Sequence, residues 1–181
     1  VGLGIRRLSV IDVEKGHQPI GNEDNSIWIV YNGEIYNYKD LRQELEQKNH
    51  KFKTNTDTEV ILHLYEEMGR ELVTRLNGMF AFALWDSKRC TLLLGRDRAG
   101  IKPLFYYIGR DKLVFGSEIK ALLQDPSIPR GLNFQALHSY LSLLYVPAPL
   151  TIFNGIKKLP PAHTLEYIDG EVSIRRYWSV P

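Results

Sequence analysis

The sequence predicts an α+β fold in which two β-sheets pack face to face and helices cover their outer sides. Two apolar runs, 27–31 and 79–85, are continuous, which is typical of strands that are covered on both faces. Helical patterns fall into two clusters along the chain, and strand-like segments lie between and after them. A layered sandwich is the arrangement that buries both faces of such strands.

The first half of the chain predicts two strands and three helices. Their spans are 1–12, 27–31, 37–50, 56–69 and 70–78. Asn37 is the expected cap of the first helix, and either Thr56 or Asp57 is the expected cap of the second. Gly69 follows the last apolar position of the second helix and should end it.

The second half predicts a buried strand, further strands, two helices and a final hairpin. Their spans are 79–85, 90–97, 103–109, 113–117, 117–125, 133–144 and 163–178. Ser117 is the expected cap of the first of these helices, and Asp169-Gly170 is the expected turn of the hairpin. The proline-rich segment 145–161 predicts an ordered tether.

Composition excludes several classes of function. The chain has 181 residues, within the range of one domain, and a formal charge of only +2, which argues against nucleic acid or a membrane surface as a partner. It has one cysteine, Cys90, so a disulfide framework is excluded and a reducing, cytoplasmic compartment is predicted. No apolar run reaches the roughly 20 residues of a membrane helix. The start at Val1, in a strand-like run, predicts a piece of a longer polypeptide.

The residues most often used in metal and phosphate sites predict no such site here. The five histidines lack metal-ligand spacing, and no phosphate-binding glycine motif occurs. Cys90, at the start of a predicted strand, is interpreted as a small hydrophobic residue rather than a nucleophile.

Three features do point to chemistry, each with a structural alternative. Arg7 shares a strand face with Leu3 and Ile5, so its guanidinium either faces inward toward a carboxylate or is turned outward by a bulge. Asp57 precedes a helix, where capping is the simpler role.

The third feature is Asn32-Gly33, within the stretch "IWIVYNGEIYNY". Asn-Gly between apolar runs is a strong turn signal, but the pattern then changes to a helix, so a strand-to-helix loop is predicted. Such a loop would put the Gly33 amide beside the Asn32 side-chain amide, as in an oxyanion hole. The alternative is a glycine that is needed only for a positive φ.

The motifs together resemble the glutaminase half of the asparagine synthetases, which are class II glutamine amidotransferases. The matching segments, in order, are "LGIRRLSVID", "HQPI", "VYNGEIYNY", "TDTEVILHLYEEMG", "LNGMFAFALWD", "GRDRAGIKPLFY" and "FGSEIKAL". The resemblance implies the N-terminal-nucleophile hydrolase fold, a four-layer αββα sandwich. It also implies a glutaminase domain at 1–144 and a tether and hairpin at 145–181 that lead to a synthetase domain.

The resemblance implies a mechanism and a set of site residues. An N-terminal cysteine thiolate would attack the glutamine side-chain amide, its own α-amine would shuttle the proton, and ammonia and glutamate would leave. Arg7 would bind the α-carboxylate, with Leu8 and Val10 in the same lining strand. Asn32 and Gly33 would form the oxyanion hole. Glu34 and Asp57 would hold the α-amine.

The parent protein would use glutamine to amidate aspartate. ATP and Mg would belong to the synthetase domain of the same polypeptide, and this domain would need no cofactor. The nucleophilic cysteine is expected upstream of Val1 and is absent from this sequence, so the fragment alone is expected to be inactive. Position 5 is Ile where the family often has His. The alternative is a non-catalytic glutaminase-like scaffold of a β-lactam-synthetase type. Oligomeric state cannot be read from the sequence, and a homodimer stays open.

Overall fold

The computed structural model of the protein describes residues 1–6 and 16–180. Within those ranges the chain forms nine strands, four α-helices and one 3₁₀-helix. The elements are β1 Ile20–Gly21, β2 Ile27–Ile35, α1 Tyr38–Gln47, α2 Glu59–Met68, the 3₁₀-helix Gly69–Thr74, β3 Gly78–Asp86, β4 Thr91–Arg96, β5 Phe105–Ile108, β6 Leu113–Gly116, α3 Ile119–Leu122, α4 Phe134–Leu143, β7 Ile156–Lys158, β8 His163–Ile168 and β9 Glu171–Arg176.

The strands form two antiparallel sheets. The larger sheet has the order β1-β2-β3-β4-β8-β9, and the smaller one has the order β6-β5-β7. β2 and β3 pair along their whole lengths, from Ile27 opposite Asp86 to Ile35 opposite Gly78. The predicted final hairpin is confirmed, and its first strand pairs with β4. The hairpin therefore forms one edge of the larger sheet.

The larger sheet is buried on both faces, as the continuous apolar runs predict. Along β3, Phe80, Phe82 and Leu84 belong to the core shared with α1 and α2. The alternate residues Ala81 and Ala83 face the opposite way and pack in the core between the two sheets. Because successive side chains in a strand point to opposite faces, β3 contributes to two cores at once.

A third core lies on the outer face of the smaller sheet. Phe105 and Tyr107 of β5 pack there against Leu122 of α3, whereas Tyr106 packs in the core between the sheets. The layers therefore run helices, larger sheet, smaller sheet, helices. The predicted α+β sandwich of four layers is confirmed.

The helix ends differ from the predictions in their caps. Asn37 precedes α1 without a side-chain capping bond, because its amide binds the carbonyl of Arg75 and the N–H of Asn77 instead. α3 begins after Glu118 rather than Ser117, again without a side-chain cap. The end of α2 at Gly69 is confirmed, with φ of 59° at that residue.

Two further elements, the first predicted strand and the third predicted helix, differ from the prediction. The segment 1–6 lies outside any strand, although Leu3 and Ile5 pack against the core between the sheets. The predicted third helix is a 3₁₀-helix that starts directly at the end of α2. The segment after 144 supplies strands to both sheets, and its role as a route to a further domain stays a prediction. Among the described residues, no helix is long and apolar enough to cross a membrane.

Candidate functional site

A cleft of about 840 Å³ opens between the two sheets. One wall is formed by the C-terminal half of β2 and by β3, and the other by 102–104 and 115–121. Gly4, Ile5 and Arg6 line it as well. The small side chains Ala81 and Ala83 leave room there for a ligand. Four residues expected in the glutamine site line this cleft, namely Asn32, Gly33, Glu34 and Asp57.

Asn32 and Gly33 do not form a turn, which corrects the prediction of a strand-to-helix loop. Both lie within β2, where Asn32 is opposite Ala81 and Gly33 is opposite Phe80. The strand continues to Ile35, and α1 begins three residues later. Asn32 and Glu34 are exposed on the face toward the cleft, whereas Tyr31 and Ile35 are buried on the helix-covered face.

The Gly33 N–H points away from β3. Phe80, the partner of Gly33, uses its own N–H and C=O to bind Asp97, so the two residues form a pair without mutual hydrogen bonds. On the same edge of β2, the Tyr31 N–H donates to Gln18 at 2.6 Å and the Ile35 N–H donates to Asp57 at 2.9 Å. The Gly33 N–H therefore lies on the edge of β2 that faces away from β3, between two amides that are held by side chains.

Gly33 is required by close packing, not by a positive φ. A Cβ at this position would lie 2.2 Å from the carbonyl oxygen of Met79 and 2.7 Å from Cα of Phe80. Its φ is outside the left-handed region, so the alternative of a turn glycine is wrong. The physical reason is that β3 approaches this point so closely that no side chain fits.

Asp57 does not cap α2, which corrects the simpler interpretation of that residue. It is 3% exposed, and its Oδ2 accepts from the Tyr31 hydroxyl at 2.7 Å and the Ile35 N–H at 2.9 Å. The residue before α2 is Thr58, which makes no side-chain capping bond. Asp57 thus ties the start of α2 to the end of β2, and it is one of the residues that line the cleft.

Glu59 positions the loop that carries Asp57, a role that sequence reasoning missed. Its buried carboxylate accepts from the N–H groups of Lys53 and Thr54 at 2.7 and 2.8 Å and from the Thr54 hydroxyl at 2.7 Å. The spacing of Thr56 and Glu59 matches a capping box, which is the sequence signal for a glutamate that binds backbone N–H groups at a helix start.

A buried carboxylate, Asp97, and a half-buried guanidinium, Arg96, organise the opposite wall of the cleft, and sequence reasoning missed these too. The Asp97 carboxylate accepts from four backbone N–H groups, those of Phe80, Ala99, Ile101 and Lys102. The Arg96 guanidinium donates to three carbonyls, those of Gly100, Lys102 and Leu159. Burial lowers the pKa of Arg96. The segment "GRDRAGIK" is part of the family resemblance, and this clamp is a physical reason for it.

The remaining candidate residues fall outside the cleft or outside the described ranges. Arg7, Leu8 and Val10 lie outside the described residues, so their expected roles stay predictions. Cys90 is exposed in the turn before β4, with φ of 49°, so the prediction that it starts a strand is wrong. It is not among the described residues that line the cleft, and its interpretation as a residue other than the nucleophile stays a prediction.

Comparison with known proteins gives relatives over nearly the whole chain. The chain is 44% identical over 180 residues to asparagine synthetase [glutamine-hydrolyzing] 3 of Bacillus subtilis (strain 168), covering 98% of the chain and 29% of that protein. It is 38% identical over 200 residues to putative asparagine synthetase [glutamine-hydrolyzing] 2 of Methanocaldococcus jannaschii, covering all of the chain and 38% of that protein. The chain therefore spans about a third of the length of these relatives.

A solved structure shares the fold. Glutamine phosphoribosylpyrophosphate amidotransferase from Bacillus subtilis, complexed with ADP and GMP, superposes with a TM-score of 0.61. The match covers 89% of this chain and 32% of that one, at 20% sequence identity. This neighbour agrees with the four-layer sandwich that the three cores define.

The family itself is identified by a match along almost the entire sequence. Residues 1–178 match the family described as the glutamine amidotransferase domain. The match includes β2 with its Asn-Gly pair, the segment before α2 with Asp57, and both walls of the cleft. The chain therefore belongs to the glutamine amidotransferase domain family.

Proposed function

We propose that this chain is the glutamine-hydrolysing domain of an asparagine-synthetase-type protein and that the cleft between the sheets binds L-glutamine. The observation that carries the proposal is the meeting of Asn32, Gly33, Glu34 and Asp57 in one cleft. Two of these supply neutral donors and two supply carboxylates. Glutamine has an amide at one end and an ammonium group at the other, so it matches both sets of groups.

Asn32 and Gly33 act on the amide end of the substrate. Attack on the side-chain amide turns its carbonyl oxygen into an oxyanion, which a side-chain amide and a backbone N–H stabilise by hydrogen bonds. The direction of the Gly33 N–H, away from β3, supports this role, as does the exposed side chain of Asn32. Both groups belong to a paired strand, which supports a preorganised site.

Asp57 and Glu34 act on the other end, where the α-ammonium group is positive. Asp57 is buried and held by two hydrogen bonds, so its carboxylate is fixed before the ligand arrives. Arg7 is proposed to bind the α-carboxylate through a two-point contact, with Leu8 and Val10 beside it. This pairing of one cation with carboxylates would distinguish an amino acid from a simple amide.

The nucleophile in this proposal is an N-terminal cysteine, which attacks the amide carbon and releases ammonia to form a thioester. Water then attacks the thioester, which releases glutamate and restores the thiol. Cys90 is exposed and outside the cleft, so it is not assigned as this nucleophile.

The ammonia would be used by a synthetase domain of the same polypeptide, with ATP and Mg, to amidate aspartate. The names of the relatives, all glutamine-hydrolysing asparagine synthetases, support this acceptor over the scaffold alternative. The apolar residues Phe134, Leu141 and Leu144 of α4 and its end are 76%, 71% and 82% exposed, and a further domain would cover them. A cytoplasmic location and a homodimer belong to the same proposal.

The test uses the whole protein that contains this chain. Asparagine formation is measured with glutamine and, separately, with ammonia as the nitrogen source. We expect Arg7→Ala to raise the KM for glutamine and to leave the ammonia reaction unchanged, and Cys90→Ala to change neither. Equal loss of both reactions in Arg7→Ala, or an unchanged glutamine KM, would contradict the assignment of the pocket. Absence of glutamine-dependent turnover in the intact protein would favour the scaffold alternative.

A further inference from the structure

A cluster of histidine and glutamate side chains lies on the helix-covered side of the larger sheet. The ligand atoms of Glu23, His50 and His63 all lie within 4.8 Å of one another. Glu66 joins them, with its Oε2 2.8 Å from Nδ1 of His63 and 3.5 Å from Nδ1 of His50. We call these four residues the His-Glu cluster. None of them lines the cleft, so the cluster is separate from the proposed glutamine site.

The spacing of the cluster is close to that of a four-coordinate metal site. Bonds of about 2.0–2.1 Å in a tetrahedron put neighbouring ligand atoms about 3.3 Å apart. In the His-Glu cluster, Oε2 of Glu66 lies 2.8 Å from Nδ1 of His63 and 3.5 Å from Nδ1 of His50. Nδ1 of His63 lies 3.8 Å from Oε2 of Glu23. These three separations lie within about 0.5 Å of the tetrahedral value.

Outer hydrogen bonds already orient three members of the cluster. Nε2 of His50 lies 3.1 Å from Glu67, which leaves Nδ1 of His50 directed at the cluster. Glu66 accepts from the Asn22 amide at 2.7 Å, and Glu23 accepts from the Lys51 N–H at 3.2 Å. A carboxylate on the far nitrogen of a histidine, and hydrogen bonds to ligating carboxylates, are typical of metal sites in proteins.

Burial and charge also favour a bound cation. His63 is fully buried, and its Nδ1 faces the carboxylates of Glu23 and Glu66, whereas its Nε2 lies 3.9 Å from Oε1 of Glu59. The carboxylates of Glu66 and Glu23 lie 2.8 and 3.8 Å from Nδ1 of His63. A metal ion at this point would compensate the two acidic groups.

We infer that Glu23, His50, His63 and Glu66 bind one divalent transition-metal ion, with zinc as the best match. Two imidazole nitrogens favour zinc over magnesium and calcium, which prefer oxygen ligands. The ion would bind Nδ1 of His63 and Oε2 of Glu66 in place of the hydrogen bond between them. The inference does not depend on glutamine chemistry.

The ion would join three parts of the chain. Glu23 lies in the turn between β1 and β2, His50 lies in the loop after α1, and His63 and Glu66 lie on α2. The loop after His50 continues to Lys53 and Thr54, which Glu59 holds, and then to Asp57. A metal that binds the folded protein and not the unfolded chain stabilises the fold by mass action. The proposed role is therefore structural.

The test is zinc binding to the untagged, chelator-treated protein. Titration calorimetry measures the binding, and thermal unfolding measures its effect on stability. We expect one zinc ion per chain, a melting temperature that rises with zinc concentration, and no comparable effect of magnesium. His50→Gln and Glu23→Gln should abolish saturable binding. Glu67→Gln, which neutralises the carboxylate that contacts His50 and Lys48, should weaken binding about 10- to 100-fold. His138→Gln, on the exposed surface of α4, is the matched control and should bind as the wild type.

The inference fails if the wild-type protein binds no zinc at one ion per chain. It also fails if His50→Gln and Glu23→Gln, folded by circular dichroism, bind zinc as tightly as His138→Gln. Glu23 is partly exposed, so Glu23→Gln keeps the test valid if His50→Gln does not fold. Because glutamine is absent from the assay, the outcome is independent of the proposed glutaminase function.

Discussion

Asn32-Gly33 and Asp169-Gly170 have the same turn signal but different structures. Asp169 and Gly170 connect β8 to β9, with φ of 49° and 90°, as a two-residue hairpin requires. Asn32 and Gly33 lie inside β2, paired with β3 and without positive φ. A Cβ at Gly170 would meet nothing within 4 Å, whereas one at Gly33 would overlap the backbone of β3.

The difference separates two physical reasons for a glycine. At position 170 the backbone conformation requires it, and at position 33 the approach of a neighbouring strand requires it. Only the arrangement at Gly33 brings a backbone N–H, a side-chain amide and a ligand cleft together. The comparison therefore predicts that substitutions at Asn32-Gly33 affect catalysis and core packing, and that substitutions at Asp169-Gly170 affect only the hairpin.

Substitution of Asn32 should have the largest effect. In the intact protein, Asn32→Ala should raise the barrier of the glutamine reaction by about 2.7–4 kcal/mol, because an oxyanion donor is lost. Because Asn32 is exposed, Asn32→Ala should change the free energy of unfolding of the protein by less than about 0.5 kcal/mol. Steady-state kinetics with glutamine and with ammonia measure this, and Asp169→Ala is the control at the matching position. An equal loss with ammonia would refute the oxyanion role.

Gly33→Ala should have the next largest effect, on stability. The added Cβ meets Met79 and Phe80 backbone atoms that cannot move without separating β2 from β3. We expect a loss of about 3 kcal/mol in the free energy of unfolding, at the upper end for overpacking. Chemical denaturation measures it. A loss no larger than that of Gly170→Ala would show that the strands separate easily at this point.

Asp57→Ala should weaken glutamine use and moderately destabilise the fold. A hydrogen bond to a charged group contributes about 1.5–3 kcal/mol, so the glutamine KM should rise about 10- to 100-fold. The Tyr31 hydroxyl and the Ile35 N–H would lose their acceptor at the same time. Kinetics with glutamine and with ammonia measure the first effect, and Asp40→Ala, on exposed α1, is the control. An unchanged glutamine KM would reduce Asp57 to a structural residue.

Gly170→Ala should have the smallest effect. A positive φ is unfavourable for alanine by about 1 kcal/mol, and no neighbouring atom blocks the new Cβ. We expect a loss of this size in stability and no change in either reaction. Thermal and chemical unfolding of this variant beside Gly33→Ala gives the difference between a conformational glycine and a packing glycine. A change in glutamine kinetics would mean that the hairpin is coupled to the cleft.

Much of the fold could be predicted because its signals are local. The continuous apolar runs predict strands with two buried faces, and β3 has them because Phe82 and Ala83 face different cores. Gly69 ends α2 through its own backbone conformation. The helix caps were predicted less well. The Asn37 side chain binds a segment 38 to 40 residues away in sequence, a contact that no local pattern contains.

The members of the candidate site come from the motif resemblance, and their roles stay predictions. Asn32, Gly33, Glu34 and Asp57 line the cleft, whereas Arg7, Leu8 and Val10 lie outside the described residues. The resemblance did not identify the Asp97 and Arg96 clamp, because these residues act on backbone groups of a loop. The His-Glu cluster was missed because Glu23, His50 and His63 lie far apart in sequence. They are brought together only where the β1–β2 turn and the loop that follows α1 pack against helix α2.

Residue type and short-range spacing were sufficient to predict the strands with two buried faces, the Asp169-Gly170 hairpin and the motifs shared with the family. Three features could be seen only in the folded chain: Asn32-Gly33 lies within a strand, Asp57 binds β2 instead of capping α2, and the cleft lies between the sheets. The first of these follows from the pairing of β2 with β3. That pairing directs the Gly33 N–H away from β3, and it depends on contacts between residues almost fifty positions apart, which no local pattern contains.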